Sequence, residues 1–140
     1  MTKSNFQFLN PKLLNISFDV NPSYKYDGNE PQFTNEISTK FSQMVDNSAT
    51  VLLNIKISCE ENEPFILRAS MASKFKWNDS LESAEVERLL HENAPALLIS
   101  YLRPIVSSLT TFSPLPTYDI PFINFTENKD SYTVIVSNDN

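Results

Sequence analysis

Apolar and polar residues alternate along most of the first half of the chain, and this period of two predicts β-strands. A long first strand begins at Phe6 and is interrupted at Pro11, and a weaker second strand follows around residues 33–41. The third and fourth strands are expected over residues 51–59 and 65–77. Short connections between these strands predict antiparallel neighbours, with one face towards the core and one towards water.

The second half of the chain changes to the period of a helix. Residues 83–92 predict a short helix, and a longer one is expected from an N-cap at Asn93 to about Thr111, kinked at Pro104. The apolar arc of the longer helix spans roughly 200 degrees, whereas a surface helix needs only about 100 degrees. The excess predicts a second subunit on the flank of this helix. We expect the subunit interface to consist of Ile99, Leu102 and Val106.

Residues 112–125 form a strongly apolar connector that contains three prolines and therefore cannot be a regular helix. Side chains of this kind cover the domain's own core, line a binding groove or contact another subunit. For the groove interpretation, the substrate-binding residues are Phe75, Trp77, Phe112, Leu115, Tyr118, Ile120, Phe122 and Phe125. Core packing is an equal alternative for the two that lie on the fourth strand.

Composition narrows the class of protein. The net charge of -6 and the pI near 4.7 argue against nucleic acid and anionic lipid as partners. No apolar run approaches the roughly 18 residues that span a bilayer, and the first residues lack the apolar region of a signal peptide. We therefore expect a cytoplasmic protein that forms one domain over residues 1–140.

The candidate chemistry is sparse. Cys59 is the only cysteine and His91 the only histidine, so neither a metal site nor a cofactor is expected. The sequence shows no nucleophile next to a base and no paired acid and base, which argues against an enzyme.

Several segments together resemble the SecB family of protein-export chaperones. They are Phe6-Gln7-Phe8, Asn15-Ile16-Ser17-Phe18-Asp19, the Asn-Ala-Pro sequence at Asn93, Tyr101-Leu102-Arg103, and the exit Pro121-Phe122-Ile123-Asn124-Phe125. The resemblance covers roughly residues 6–125. It leaves residues 126–140 as a divergent tail, in which residues 132–136 have the β-branched and aromatic composition of an added strand.

The resemblance implies an α+β fold in which a four-stranded antiparallel sheet packs against a long kinked helix, and a homotetramer built as a dimer of dimers. It implies an ATP-independent holdase chaperone, which keeps unfolded client polypeptides in a hydrophobic groove and passes them to the SecA motor for export. The positions that align with the family's SecA-contacting face are Asn15, Asp19, Ile66 and Arg68. Only Asp19 keeps the acidic charge of the family there.

Two alternatives use the same groove. One is a binding module dedicated to a single peptide or lipid ligand. The other is a chaperone that controls one antitoxin-like client. Capture of several unrelated unfolded proteins distinguishes the general holdase from both.

Overall fold

The computed structural model describes residues 5–125 and the backbone of residues 133–137. The strands are β1 (Phe6–Phe8), β2 (Lys12–Val20), β3 (Thr34–Phe41), β4 (Ser48–Ser58), β5 (Phe65–Trp77) and β6 (Thr133–Ser137). The helical segments are α1 (Ser83–Arg88), a π-helical turn (Leu89–Asn93) and α2 (Ala94–Thr111). The fold is therefore α+β, with an antiparallel sheet and one long helical element, as predicted.

The sheet has six strands in the order β1-β5-β4-β3-β6, and β2 also pairs with β5. β1 and β2 lie along the same neighbour, one after the other, so the predicted long first strand is present and is interrupted before Lys12. The register of β2 shifts between Leu13 and Asn15, which marks a bulge at Leu14. The added strand expected in the tail is also present, because β6 pairs with β3.

The core lies between one face of the sheet and α2. Alternate residues of β4 and β5 are buried, which is the period-two pattern of strands with one dry face. Leu53 and Leu67 on the sheet and Leu98 on α2 are fully buried. Each such side chain stabilises the fold by about 1.5–3 kcal/mol relative to an exposed position.

The predicted N-cap at Asn93 was wrong. Asn93 has helical backbone angles and makes no side-chain cap, because α1 continues into α2 through the π-helical turn. Pro95 lacks the N–H that would bond the carbonyl of His91, and the wider turn lies directly before it, where the Ala94 N–H bonds the Leu89 carbonyl. α2 then continues through Pro104 to Thr111, and the kink expected at that proline stays a prediction.

The predicted subunit interface was also wrong. Ile99, Leu102 and Val106 are at most 1% exposed and belong to the core of this chain. The wheel pattern shows which helix positions are apolar but does not show where the sheet lies, and the sheet covers the centre of the arc. Tyr101, on the flank of the same helix, remains 41% exposed. In the described part of the chain, none of the helices combines the length and the apolar character needed to cross a membrane.

Candidate functional site

An open cleft of about 700 Å³ lies between the loop that joins β2 to β3, the start of β5 and the connector. Most of its lining is aromatic, proline or aliphatic. The lining residues are Tyr24, Tyr26, Glu30, Pro31, Gln32, Phe33, Pro64, Phe65, Leu115, Pro116, Thr117 and Tyr118. Three segments that are distant in the sequence thus form one cleft, whose surface carries both apolar and polar groups.

Three buried rings form the inner wall of the cleft. The centroid of Phe33 lies 4.8 Å from that of Phe65 and 4.7 Å from that of Tyr118. Phe65 and Tyr118 are 6.1 Å apart in an edge-to-face arrangement. Aromatic pairs of this kind contribute about 0.5–1.5 kcal/mol beyond the burial of their area. The wall is consequently rigid before any ligand arrives.

Tyr118 joins the connector to both layers of the fold. Asn35 Nδ2 donates to the Tyr118 hydroxyl at 2.8 Å, and this hydroxyl lies 3.0 Å from Asn35 Oδ1. The Tyr118 backbone N–H donates to Thr110 Oγ1 of α2 at 2.8 Å. Asn35 and Thr110 are fully buried, so these polar groups are satisfied where water is excluded. The connector is therefore held in one position relative to sheet and helix.

Arg103 of α2 makes a further attachment to the connector. Its Nε donates to the carbonyl of Ile120 at 3.3 Å, and its Nη2 donates to the carbonyl of Pro121 at 3.1 Å. The prolines of the connector have no backbone N–H to donate. The Arg103 guanidinium therefore gives two adjacent connector carbonyls the hydrogen-bond donors that backbone N–H groups supply in a helix or a sheet.

The outer wall of the cleft is the part of the loop before Phe33, residues 21–32, and it is more exposed. Tyr26 is 62% exposed, and its hydroxyl lies 3.4 Å from the Glu30 carboxylate. Burial and the nearby Asp27 and Glu30 raise the pKa of Tyr24. The loop is fastened to the turn before β5, where Asn62 Nδ2 donates to the carbonyl of Lys25 at 3.1 Å. The cleft thus combines apolar walls with an acidic rim.

The structure places two of the predicted substrate-binding residues, Leu115 and Tyr118, in the wall of this cleft. The prediction was wrong for Phe75, Ile120 and Phe125, which are buried in the core. The physical reason is that the connector itself alternates: some of its apolar side chains cover the end of the domain while others face outwards.

The other three predicted residues are accessible but lie outside the cleft lining. Phe112 is 90% exposed and Phe122 is 82% exposed, and neither lines the cleft. Trp77 is half-buried and lines a separate depression of about 370 Å³ together with Leu81 and Val86. The predicted set is therefore divided among the cleft, the core, two exposed rings and a second depression.

Sequence reasoning missed the contribution of the loop, including Tyr24, Tyr26 and Phe33. A usable signal was present. Residues 21–33 form a long connection without regular structure in a compact domain, and such connections are commonly functional. Two tyrosines in this loop, with prolines on both sides, would have identified it as a second candidate wall.

The four residues aligned with the family's SecA-contacting face lie together on the sheet face that points away from α2. Asp19 is the register partner of Ile66. Asn15 pairs with Ser70, and Ser17 pairs with Arg68. The structure thus brings the predicted set onto one surface, and their role in docking stays a prediction.

Alkaline pH is expected to destabilise the protein through two buried acids. Burial raises the pKa of Tyr118 from 10.0 to about 12, although its hydrogen bond to Asn35 offsets part of the shift. Burial, and secondarily Glu63, raises the pKa of Cys59 from 9.0 to about 11. The folded state holds both protons more tightly than the unfolded chain does. The contribution of these two groups to the free energy of unfolding therefore has its full value below about pH 9, and it falls as the pH rises towards 12.

Urea unfolding at pH 8, 9, 10 and 11 measures this effect. Cys59→Ala should delay the start of the decline to about pH 10, where the two tyrosines with raised pKa values, Tyr118 and Tyr24, begin to contribute. A free energy of unfolding that stays constant up to pH 11 would contradict the assignment.

The family model that matches is SecB, preprotein translocase subunit SecB, over residues 2–128. The protein-export protein SecB from each of two strains of Xanthomonas campestris pv. campestris is 26% identical over 106 residues, which cover 74% of this chain. The matched region covers 62% of those curated relatives, so this chain spans less than two thirds of their length.

Two solved structures share the fold. A SecB-like chaperone of Mycobacterium tuberculosis, solved in complex with an antitoxin peptide, has a TM-score of 0.67 at 13% identity, covering 86% of this chain and 88% of that one. A protein of unknown function from Streptococcus agalactiae has a TM-score of 0.53 at 13% identity, covering 84% and 97%. At these identities the likeness concerns the fold alone. Because the family model covers most of the sequence, the chain belongs to the SecB family.

Proposed function

We propose that this protein is a chaperone for protein export, which holds unfolded client polypeptides without ATP in the cleft beside Tyr118. Members of the SecB family are chaperones and not enzymes, which supports the class of function. The observation that carries the proposal is the open cleft of about 700 Å³ between the loop and the connector, with apolar side chains left accessible in its walls.

The energetics of such a cleft suit broad and reversible capture. Each apolar client side chain that leaves water contributes about 1.5–3 kcal/mol. Ordering the flexible client and losing its free motion cost several kcal/mol, so only a few occupied positions leave a moderate net affinity. The rigid inner wall of Phe33, Phe65 and Tyr118 adds no ordering cost of its own. Holding the unfolded form then shifts the folding equilibrium of the client by mass action, without ATP.

The acidic rim of the cleft gives a preference among clients according to their charge. Asp27, Glu30, Glu60 and Glu61 line a depression that shares Glu30, Pro31 and Gln32 with the cleft. Their carboxylates favour clients in which basic side chains flank an apolar stretch, and they disfavour acidic clients. This preference acts mainly on the rate of encounter, because the rim is exposed to solvent.

Export through SecA and a homotetrameric assembly belong to the same proposal and follow from the family. A cytoplasmic location follows from the same role. An accessible apolar flank supports the assembly: Phe8 and Tyr101 contact each other with ring centroids 6.2 Å apart, and both remain more than a third exposed, as does Leu13. We propose this flank, in place of the buried helix residues, as the surface between copies.

Replacement of exposed cleft residues by charged ones tests the proposal. Tyr26→Asp combined with Leu115→Asp is expected to weaken capture about tenfold or more, because each carboxylate would have to lose its water against an apolar client. Capture is measured with two unrelated, permanently unfolded proteins, for example reduced and carboxymethylated lactalbumin and a reduced lysozyme derivative.

The control is Phe122→Asp, which places a carboxylate on an 82% exposed ring outside the cleft lining. Its capture should equal that of the wild type. Equal loss in both variants would separate capture from the cleft, and binding of a single ligand with no unfolded client captured would favour the dedicated binding module.

A further inference from the structure

In the part of the chain that the structure describes, the cleft beside Tyr118 has no open strand edge. β5 reaches the cleft at Phe65, and β3 begins directly after Phe33. Both are interior strands, because β5 pairs with β2 and β4, and β3 pairs with β4 and β6. The other walls, the loop of residues 21–32 and the connector, are not strands. A polypeptide in the cleft is therefore not held as an added strand, since that mode of binding needs a free edge.

The accessible part of the lining consists mainly of rings and prolines. Tyr26 is exposed and Tyr24 is half-buried, and both belong to the outer wall. Pro31 and Leu115 are half-buried, and Pro116 is exposed. Grooves lined by aromatic side chains bind proline-rich segments in the polyproline II conformation, because the rigid pyrrolidine rings pack on the flat faces of the aromatic rings.

The hydrogen-bonding needs of a proline-rich segment also suit this cleft. A proline residue has a carbonyl to satisfy and no N–H. The lining supplies side-chain donors in the Tyr24 hydroxyl and in the exposed Gln32 amide, whose Nε2 lies 3.4 Å from the Glu30 carbonyl. Any other extended segment would also need a partner for each backbone N–H. It would lose more conformational freedom as well, because polyproline II is already populated before binding.

The acidic rim indicates the charge of the segment. Among the residues that line the depression of Asp27, Glu30, Glu60 and Glu61, none is basic. The loop of residues 21–32 has one basic residue, Lys25, which lines neither the depression nor the cleft. The ion pairs found among the described residues all lie in the helical segment, over residues 85–92.

Tyr26 and Glu30 together fit one kind of side chain. The Tyr26 hydroxyl lies 3.4 Å from the Glu30 carboxylate, so an arginine that pairs with this carboxylate can also lie against the tyrosine ring. A guanidinium forms both contacts at once, because it is planar and always charged.

We infer that the cleft prefers proline-rich segments in the polyproline II conformation that carry a basic residue, above all arginine, at one end. The prolines pack on Tyr24, Tyr26 and Leu115, and the basic residue binds beside Glu30. This inference rests on the proposed function, because it concerns the same cleft and names the class of client segment that the cleft favours.

Two matched peptides test the conformation. The first is a fluorescein-labelled peptide of about ten residues in which pairs of prolines alternate with single leucines and one arginine lies at the end. In the second, every proline is replaced by alanine. Fluorescence anisotropy at about 0.15 M salt, where long-range charge effects are screened, should show that the proline peptide binds at least about fivefold tighter. Unlabelled proline peptide should also displace carboxymethylated lactalbumin from the protein.

Two exposed loop residues test the placement of the peptide. Glu30→Gln and Tyr26→Ala should each weaken binding of the proline peptide about fivefold. The matched controls are Glu82→Gln and Phe112→Ala, which make comparable changes at exposed positions outside the cleft lining and should change binding less than about twofold.

Equal affinity for the proline and alanine peptides would overturn the inference, as would an affinity that Glu30→Gln and Tyr26→Ala leave unchanged. Capture of carboxymethylated lactalbumin without binding of the proline peptide would also overturn it and would leave the proposed function intact. Binding of the proline peptide with the expected losses, but with no unfolded client captured, would support this class of ligand and reject the proposed function.

Discussion

Phe65→Ala is expected to lower the free energy of unfolding by about 3–5 kcal/mol. The ring is 1% exposed and lies at the point where three parts of the fold meet. It contacts Phe18 of β2 at a centroid distance of 5.1 Å, and it also packs against Phe33 and Tyr118. Its removal leaves a cavity that this rigid surrounding structure cannot fill. Urea unfolding at neutral pH measures the loss.

The matched control for this change is Phe122→Ala, which removes a ring of the same size from an 82% exposed position. We expect it to change the free energy of unfolding by less than about 0.5 kcal/mol. Equal losses in the two variants, or a loss of less than about 1 kcal/mol for Phe65→Ala, would contradict the role given to the aromatic wall. Because that wall also forms one side of the cleft, Phe65→Ala should reduce client capture as well.

The sheet was largely predictable from the sequence. β4 and β5 alternate apolar and polar residues over 11 and 13 residues, and a shift by one residue would turn all their apolar side chains towards water. Pro11 predicted the break between β1 and β2 because proline cannot donate to a strand ladder. The composition of residues 132–136 was enough to indicate the added strand, since β-branched residues favour that conformation.

The junction of the helical segments was not predictable from the same rules. Asn93 followed by a proline two positions later has the appearance of a helix start. The alternative, a π-helical turn that carries α1 into α2, depends on the burial of Val86 and Leu90 in the same core as Leu98. The local sequence favours a break between α1 and α2, whereas packing of both segments in one core favours a continuous helical path, and the packing decides.

The cleft was predictable only on one side. The hydrogen bond between Asn35 and Tyr118 joins residues separated by 83 positions, and no periodicity in a single segment reports such a contact. The apolar character of the connector identified Leu115 and Tyr118 as candidates. It could not show that Ile120 and Phe125 are buried, because prolines interrupt the regular period that would indicate which side chains point inwards.

A pattern within one segment also could not show which side of α2 the sheet covers, and this is why the predicted subunit interface was wrong. Substitutions at two adjacent helix residues test this explanation. Leu102→Ala is expected to cost about 2–5 kcal/mol of unfolding free energy, because Leu102 is fully buried against the sheet. Tyr101→Asp places a charge on the exposed flank that faces Phe8 and should leave the unfolding of the separated chain within about 1 kcal/mol of the wild type.

The effect of the two substitutions on association between copies is expected to be the reverse of their effect on unfolding free energy. If the proposed assembly forms, light scattering after size exclusion should show that Tyr101→Asp lowers its mass, whereas Leu102→Ala keeps the mass of the wild type at temperatures where it is folded. Urea unfolding of the same two variants measures their free energies of unfolding for comparison with the masses. If Leu102→Ala dissociates the assembly while Tyr101→Asp leaves it intact, the flank of Phe8, Leu13 and Tyr101 is not the surface between copies. The excess apolar arc of α2 would then be explained by the core alone, since the sheet already covers Ile99, Leu102 and Val106.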